Sequence, residues 1–587
     1  MADAVDKNVL FHFSVVLLIM SSQTAHSSGK NGLPNVILLV VDNLGLSDLG
    51  CFGNTTVKTP NIDKLAMQGM RFTRWYSQSS SLSTRASILT GKLPIRTGII
   101  KSRYLPYKAI PSLASSGGLQ LDQTTLGEVM RNKGYSTAFV GHWGLGVGRK
   151  GAFLPMYQGF DRWYGVPALH NNYCLLRSFN QTNEMYHASY EYPNEERSTV
   201  YLVVVLLFTT IIGVLVALWM FRKIDTMTLV LLAAPELLVL YLSYFSVHLM
   251  DFFHSRNCVL YRDSKIIEQP YTVNNLTLRF TRETVHVMKD FSAKKTPFFV
   301  ILSHLKMHGP LYLSQPFSNC SDKNLFLCSL SELDWSVGRI MRTIEDLGLE
   351  TDTIVLLTST GGPCLDTDGS CGRGYGYMTA DGVKQKPLKG GGNNVWEGDL
   401  RVPTIVWWKE KIHPGQIINE TTSCMDVLPT LMELTNQSLD TFHTDGKSLV
   451  PLLVNSSAAS QHRLVFHYTD IFRPAGVTYG RYKFVFITQT DDQSSIYHDP
   501  PILYDIVSDP SETMPIPIDQ FPGDLLSTVM TIVEEHLGNR TDKGISQFDN
   551  PFLPLFFPCA NLPSCRKVNT EEDDFKELLD DQQYSRE

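Results

Sequence analysis

VILLVVDN, Val36–Asn43, decides the fold of this 587-residue chain. The run Val36–Val41 is continuously apolar and rich in β-branched residues. That describes a strand covered on both faces, since a half-solvated strand would alternate. Asp42 and Asn43 follow at its carboxyl end, the rim on which open α/β sheets place their chemistry. Phe298–Leu302, Thr353–Leu357 and Pro403–Trp408 read as strands of the same kind. Helical patterns lie between them. Thr125–Asn132 opens with a Thr125/Glu128 capping box and stops at Gly134. Glu332–Leu347 gathers Leu333, Val337, Ile340, Met341 and Ile344 on one face. The alternation predicts an α/β fold, a mainly parallel sheet flanked by helices. Its rim would carry Asp42-Asn43, Gly141-His142, His304 to His308 and Thr360-Gly361. From about Leu464 the short strands in RLVFHY, YKFVFI and ILYDIV predict a smaller C-terminal antiparallel-sheet domain.

Net charge is −7 and the lysines and arginines are scattered, which argues against nucleic acid as a partner. The N-terminus has Lys7, an apolar run Val9–Met20 and then small polar residues, the layout of a cleaved signal peptide over 1–27. Asp3 and Asp6 leave its leading segment poorly basic. Eight Asn-X-Ser/Thr acceptors follow, at Asn54, Asn180, Asn275, Asn319, Asn419, Asn436, Asn455 and Asn539. Behind a signal peptide they predict a secreted or lumenal glycoprotein. The ten cysteines show no metal-binding spacing and read as disulfide candidates of open connectivity.

Mid-chain, Val200–Phe221 is 22 residues without a charge, ~33 Å as a helix, enough to cross a bilayer core. Arg222-Lys223 follows, and Thr226–Met250 is apolar again apart from Pro235, Glu236 and His248. Two spans joined by a basic turn predict a transmembrane hairpin over 199–253, in contact with membrane lipid. The positive turn would face the cytosol and both flanking domains the lumen of the endoplasmic reticulum or secretory pathway. A helical pair buried in the globule is the alternative, which Glu236 favours. The expected domains are 28–198 with 254–460 (α/β), 461–568 (C-terminal) and an acidic tail over 569–587.

PNVILLVVDNLGLSDLGCFGN, TPNIDKLAMQG, SLSTRASILTGKLPIRTG, GYSTAFVGHWGLG, LDWSVGRI, NNVWEGDLRVP, MDVLPT and ILYDIVSDPSE fall in an order that resembles the sulfatase family. The hairpin points to its steroid-sulfatase branch. The resemblance implies an alkaline-phosphatase/sulfatase-like fold and hydrolysis of aryl or steroid sulfate esters. It also implies a formylglycine nucleophile made from cysteine and a calcium ion that polarises sulfate and nucleophile.

By that resemblance, Ser81 stands at the nucleophile position, and Leu82-Ser83-Thr84 lack the motif's proline. Arg85 and His308 are retained. Metal ligands would include Asp42 and Asn43, the latter in place of an aspartate. Thr360 and Gly361 hold two further ligand positions without their oxygen donors. His142 replaces a lysine, Gly144 a histidine and Gly392 a second lysine. Formylglycine is therefore not expected, and calcium should bind weakly or not at all. A serine sulfate ester would have no geminal hydroxyl to expel sulfate. The expectation is a sulfatase relative whose activity is lost or very weak, still open to a steroid or aryl sulfate ligand. The alternative is a working sulfuric ester hydrolase with a non-standard residue set.

Overall fold

The structure, a computed structural model, describes residues 32–101, 113–168, 174, 194–273, 275–309, 311–318, 324–363, 388–390, 394–438, 442–470, 472–489, 495–540, 545–551, 556–562 and 564–569. Over 194–204 and 242–255 it describes the backbone alone. The signal segment, Asn180, Asn319, Gly392 and nearly all of the acidic tail lie outside the described residues.

Among the described residues ten strands form one sheet: β1 Asn35–Val41, β2 Met70–Phe72, β3 Ser136–His142, β4 Arg162–Val166, β5 Leu260–Arg262, β6 Lys265–Glu268, β7 Phe298–His304, β8 Thr353–Ser359, β9 Thr404–Trp407 and β10 Gln416–Ile418. Their spatial order is β10-β2-β9-β8-β1-β7-β3-β4-β5-β6. β1 is buried along its whole length. Its alternate residues feed two apolar layers, as the pleat requires. Val36, Leu38 and Val40 pack with α2 (Ser81–Thr90) and α3 (Leu126–Asn132). Ile37, Leu39 and Val41 pack with α1 (Pro60–Gln68), α6 (Leu276–Ala293) and α7 (Leu325–Asp346). The Thr125/Glu128 capping box is present at the start of α3. α7 begins earlier than its apolar face suggests, because Asn324 Oδ1 accepts from the amides of Phe326 and Leu327.

The sheet is mixed rather than mainly parallel. β8, β1, β7, β3 and β4 are parallel, whereas β9, β5 and β6 pair antiparallel with their neighbours. The reason at β9 is where the chain re-enters. At the carboxyl rim the amide of Gly362, just past β8, donates to O of Asp399, ahead of β9, at 2.7 Å. Entering β9 from that rim leaves only the reversed direction, since a parallel return needs a crossover to the far edge.

β11 (Leu464–His467), β12 (Gly476–Tyr479), β13 (Tyr482–Gln489) and β14 (Ser495–Asp505) form the second sheet, antiparallel in that order. Helix Leu525–Gly538 contributes Val529 and Val533 to its core. A buried ion cluster joins the two sheets' regions, with Lys483 Nζ 2.9 Å from both Glu397 and Glu512.

The apolar mid-chain segments are helices α4 (Asn194–Met220) and α5 (Thr226–Asn257), which pack against each other. They are not buried in the globule: Leu206, Met220, Met227 and Leu231 are each more than half exposed. Among the described residues no helix is long and apolar enough to cross a membrane. Side chains are described there only over 205–241. Cys174 and Cys258 form a disulfide with Cα atoms 5.5 Å apart, closing the chain across the base of this arm. Cys559 and Cys565 form another. Cys51 and Cys424 carry free thiols instead. Cys424 is fully buried and packs as a small apolar residue, which removes it from the disulfide candidates.

Candidate functional site

β1 ends at Asp42, and Asn43 takes a left-handed turn at φ 53° that asparagine tolerates. Ser80 caps α2 by accepting from the Ser83 amide. That sets Ser81 in the first turn and Arg85 four residues on, the spacing that places two side chains on one helix face. Both reach the β1 rim. Ser81 Oγ donates to Asn43 Oδ1 at 3.0 Å. Arg85 Nη2 lies 2.7 Å from Asp42 Oδ1. The same guanidinium donates to Ser303 Oγ at 3.0 Å and, through Nε, to His142 O at 3.3 Å.

Asp42 collects three partners. Thr360 Oγ1, just past β8, donates to Oδ1 at 2.7 Å, while His142 Nδ1, at the end of β3, lies 3.1 Å from Oδ2. The carboxylate, Arg85 and His142 are all buried. Burial would raise the Asp42 pKa, but Arg85 and the His142 hydrogen bond outweigh it and hold it well below the usual carboxylate range. Burial, reinforced by Arg85, pushes His142 down to about 4. The imidazole is thus neutral, with Nδ1–H donating to Asp42. Among the described residues, one carboxylate and one guanidinium face each other in the cluster. Among the described residues, Arg85 Nη1 and His142 Nε2 are buried without a hydrogen-bond partner.

Asp42, Asn43, Ser81, Arg85, His142 and Thr360 therefore converge. Gly361 adjoins Thr360, its carbonyl accepting from Ser359 Oγ at 2.8 Å. His308 is half-buried, its Nδ1 donating to Gly309 O at 2.6 Å, and burial lowers its pKa. It feels the charges of Asp42 and Arg85 without a hydrogen bond to either. Gly144 lies beside His142 at φ +76°. A Cβ there would come within 2.6 Å of Leu82 Cδ2 and 3.2 Å of His142 Nε2.

Two structural contributors are missed by sequence reasoning. Ser303 holds Arg85 from the penultimate position of β7. Lys306 Nζ meets Glu332 at 2.7 Å, both fully buried, and Glu332 also accepts from Ser314 Oγ, pinning the segment that carries His308. A lone lysine directly after a buried strand is the signal that points to such a pair.

The sulfatase family model matches residues 34–437, and that of the C-terminal region of aryl-sulfatase matches 460–567. The chain belongs to the sulfatase family. Its relatives include human steryl-sulfatase, 32% identical over 95% of this chain and 97% of the relative, and human arylsulfatase D, 32% identical over 91% and 92%. In fold it is similar to the PsFucS1 sulfatase from Pseudoalteromonas sp., at 20% identity and a TM-score of 0.67 over 93% of this chain and 96% of that one.

A sulfatase site implies a divalent metal, and the residues at this one do not fit it. Hard divalent cations need several oxygen ligands, mostly charged. Both Asp42 oxygens already face protein donors, and Asn43 Oδ1 accepts from Ser81. Thr360 donates to the carboxylate instead of adding one. Among the described residues no three His, Cys, Asp or Glu side chains are grouped to hold a metal.

Proposed function

We propose that this sulfatase-family chain is a secretory-pathway glycoprotein of the steroid-sulfatase branch, anchored by the 199–253 hairpin, that hydrolyses sulfate esters very weakly or not at all. The observation that carries it is Asp42, the sole carboxylate of the cluster among the described residues, whose two oxygens are held by Arg85, Thr360 and His142. A cation entering there would displace a covalently tethered guanidinium. Without it, no metal polarises the sulfate oxygens or activates the nucleophile. Ser81 could attack sulfur once, but its sulfate ester has no second hydroxyl to expel the product. Losing one oxyanion stabiliser alone costs ~3–4 kcal/mol of barrier. What remains suits holding rather than cutting: the unpartnered Arg85 Nη1 offers an N–H to a steroid or aryl sulfate oxygen.

The anchor rests on the apolar sequence of α4 and α5, their exposed side chains and the Arg222-Lys223 turn. The 32% identity with human steryl-sulfatase over nearly the whole chain favours the second reading, a working sulfuric ester hydrolase. Hydrolysis of 4-nitrophenyl sulfate by the detergent-solubilised protein, with and without calcium, decides between them. The proposal expects rates indistinguishable from Ser81→Ala. Turnover lost in Ser81→Ala would favour the hydrolase.

A further inference from the structure

Among the described residues, the large sheet ends at β10, which pairs with β2 alone and closes the strand order on that side. An unpaired strand edge is a template for association with another chain, and proteins blunt such edges with charge, proline or a cover. β10 is short and reads Gln-Ile-Ile, without charge or proline; Ser456 and Ser460 contact Gln416 and Glu420 at its two ends, while Ile417 between them stays 47% exposed. Two glycosylation acceptors bracket it. Asn419 is the first residue beyond the strand's end. It is exposed, and its Oδ1 accepts from Thr73 Oγ1 at 2.7 Å, which fixes the carboxamide. Asn455 approaches from the other end: its neighbour Ser456 donates through Oγ to Gln416 Oε1, the first residue of β10, at 2.8 Å. Asn455 is exposed at the C-terminus of helix Val450–Val454, with Oδ1 accepting from the Ser457 amide at 3.0 Å. Asn54 offers the contrast. It is buried, and its Nδ2 donates to Ser47 O at 2.9 Å.

We propose that N-linked oligosaccharides on Asn419 and Asn455 cover the β10 edge and keep the folded protein from edge-to-edge association, while Asn54 stays unmodified. The inference rests on the secretory reading above, which supplies the donor, a lipid-linked oligosaccharyl pyrophosphate. In the transfer Nδ2 loses a proton and bonds to the anomeric carbon. The bond from that carbon to the pyrophosphate oxygen breaks, and the lipid pyrophosphate leaves. Oligosaccharides are bulky, solvated and cannot extend a β-ladder. A hydrated cover at each end of a three-residue edge leaves no room for a second strand.

The test is glycopeptide mapping of the full-length protein from eukaryotic cells, by peptide N-glycosidase in ¹⁸O water. Occupied Asn419 and Asn455 with bare Asn54 is the expected result. Exposed Asn436 and Asn539 serve as controls. Glycans on these with Asn419 and Asn455 bare would overturn the inference alone, whereas bare acceptors throughout would overturn the secretory reading as well. The consequence is read by sedimentation velocity. Asn419→Gln with Asn455→Gln should self-associate at micromolar concentration, and adding Ile417→Lys should restore the wild-type species. A double variant with unchanged sedimentation would contradict the shielding role. Should that variant fail to fold, Ser457→Ala removes the second acceptor while keeping the amide contact. Enzymatic deglycosylation of the folded wild type gives the same readout.

Discussion

Arg85 Nη2 and Asp42 Oδ1 stand 2.7 Å apart with 4% and 0% of their side chains exposed. The pair links the first strand of the sheet to the helix that opens at Ser81. It also determines the electrostatics of the site, because the positive charge facing Asp42 belongs to the chain itself. Removing either partner leaves the other charge buried and uncompensated.

Arg85→Met should therefore destabilise the protein by about 3–5 kcal/mol, the usual cost of breaking a buried pair from one side. Asp42→Leu combined with Arg85→Met should cost less than Arg85→Met alone, since no orphan charge remains. Urea unfolding followed by near-ultraviolet circular dichroism checks both. Equal losses for the single and double variants would mean that the pair contributes little.

Repairing the nucleophile alone should not restore turnover. Ser81→Cys with Ser83→Pro rebuilds the modification motif but removes the Ser83 Oγ bond to Ile99 O, 2.7 Å long. It leaves Asn43, Thr360 and Gly361 without carboxylates. Asn43→Asp, Thr360→Asp, Gly361→Gln, His142→Lys and Gly392→Lys would be needed together, because groups that share one transition state act as a unit. Gly144→His faces a further obstacle: φ is +76° and Leu82 Cδ2 lies 2.6 Å from the new Cβ. Leu82→Ala should be required before that histidine is accommodated. Aryl sulfate hydrolysis, with aldehyde content read by mass spectrometry, tests the series. Turnover from Ser81→Cys with Ser83→Pro alone would contradict the assignment.

The ion cluster between the domains gives a pH dependence with a definite sign. Burial, helped by the charge of Glu397 and opposed by Lys483, raises Glu512 from its ordinary range to about 7. A raised carboxyl binds its proton more tightly in the folded state than in the unfolded one. Its contribution to stability is then fully present below the unfolded pKa of ~4.3 and is lost as pH rises through 7. Wild type should lose on the order of 1–3 kcal/mol relative to Glu512→Gln between pH 5 and pH 8. Parallel pH profiles for the two proteins would contradict the shift.

The proposed anchor over α4 and α5 carries a topology that can be tested. Microsomes bearing the full-length protein should protect both globular regions from added protease while the Arg222-Lys223 turn stays accessible, as the positive turn requires. Carbonate at high pH should leave the protein in the membrane pellet. Complete extraction by carbonate would rule out the span.

Much of this architecture is legible in the sequence because burial writes itself into periodicity. Val36–Val41 reads as a doubly covered strand, and Thr125 with Glu128 as a helix start, since each depends on local chemistry. The reversal of β9 is not legible, because it depends on a tertiary contact at the rim, between Gly362 past β8 and Asp399 ahead of β9. The site divides in the same way. Asp42, Arg85 and His142 are marked by position after a strand or in a helix frame. The role of Thr360 as donor to Asp42 is a tertiary fact: 318 residues separate them. Ser303 is hidden for the same reason, whereas Lys306 is hinted at by its place just after a buried strand and its partner Glu332 is not.

Calcium affinity tests the central claim most directly. Isothermal titration of chelator-treated wild type should show no binding tighter than about 1 mM, the weak end of protein calcium sites. Asp42→Ala should give the same trace. One equivalent of calcium bound at micromolar concentration by wild type, and lost in Asp42→Ala, would show that the carboxylate is free to hold a metal and contradict the account.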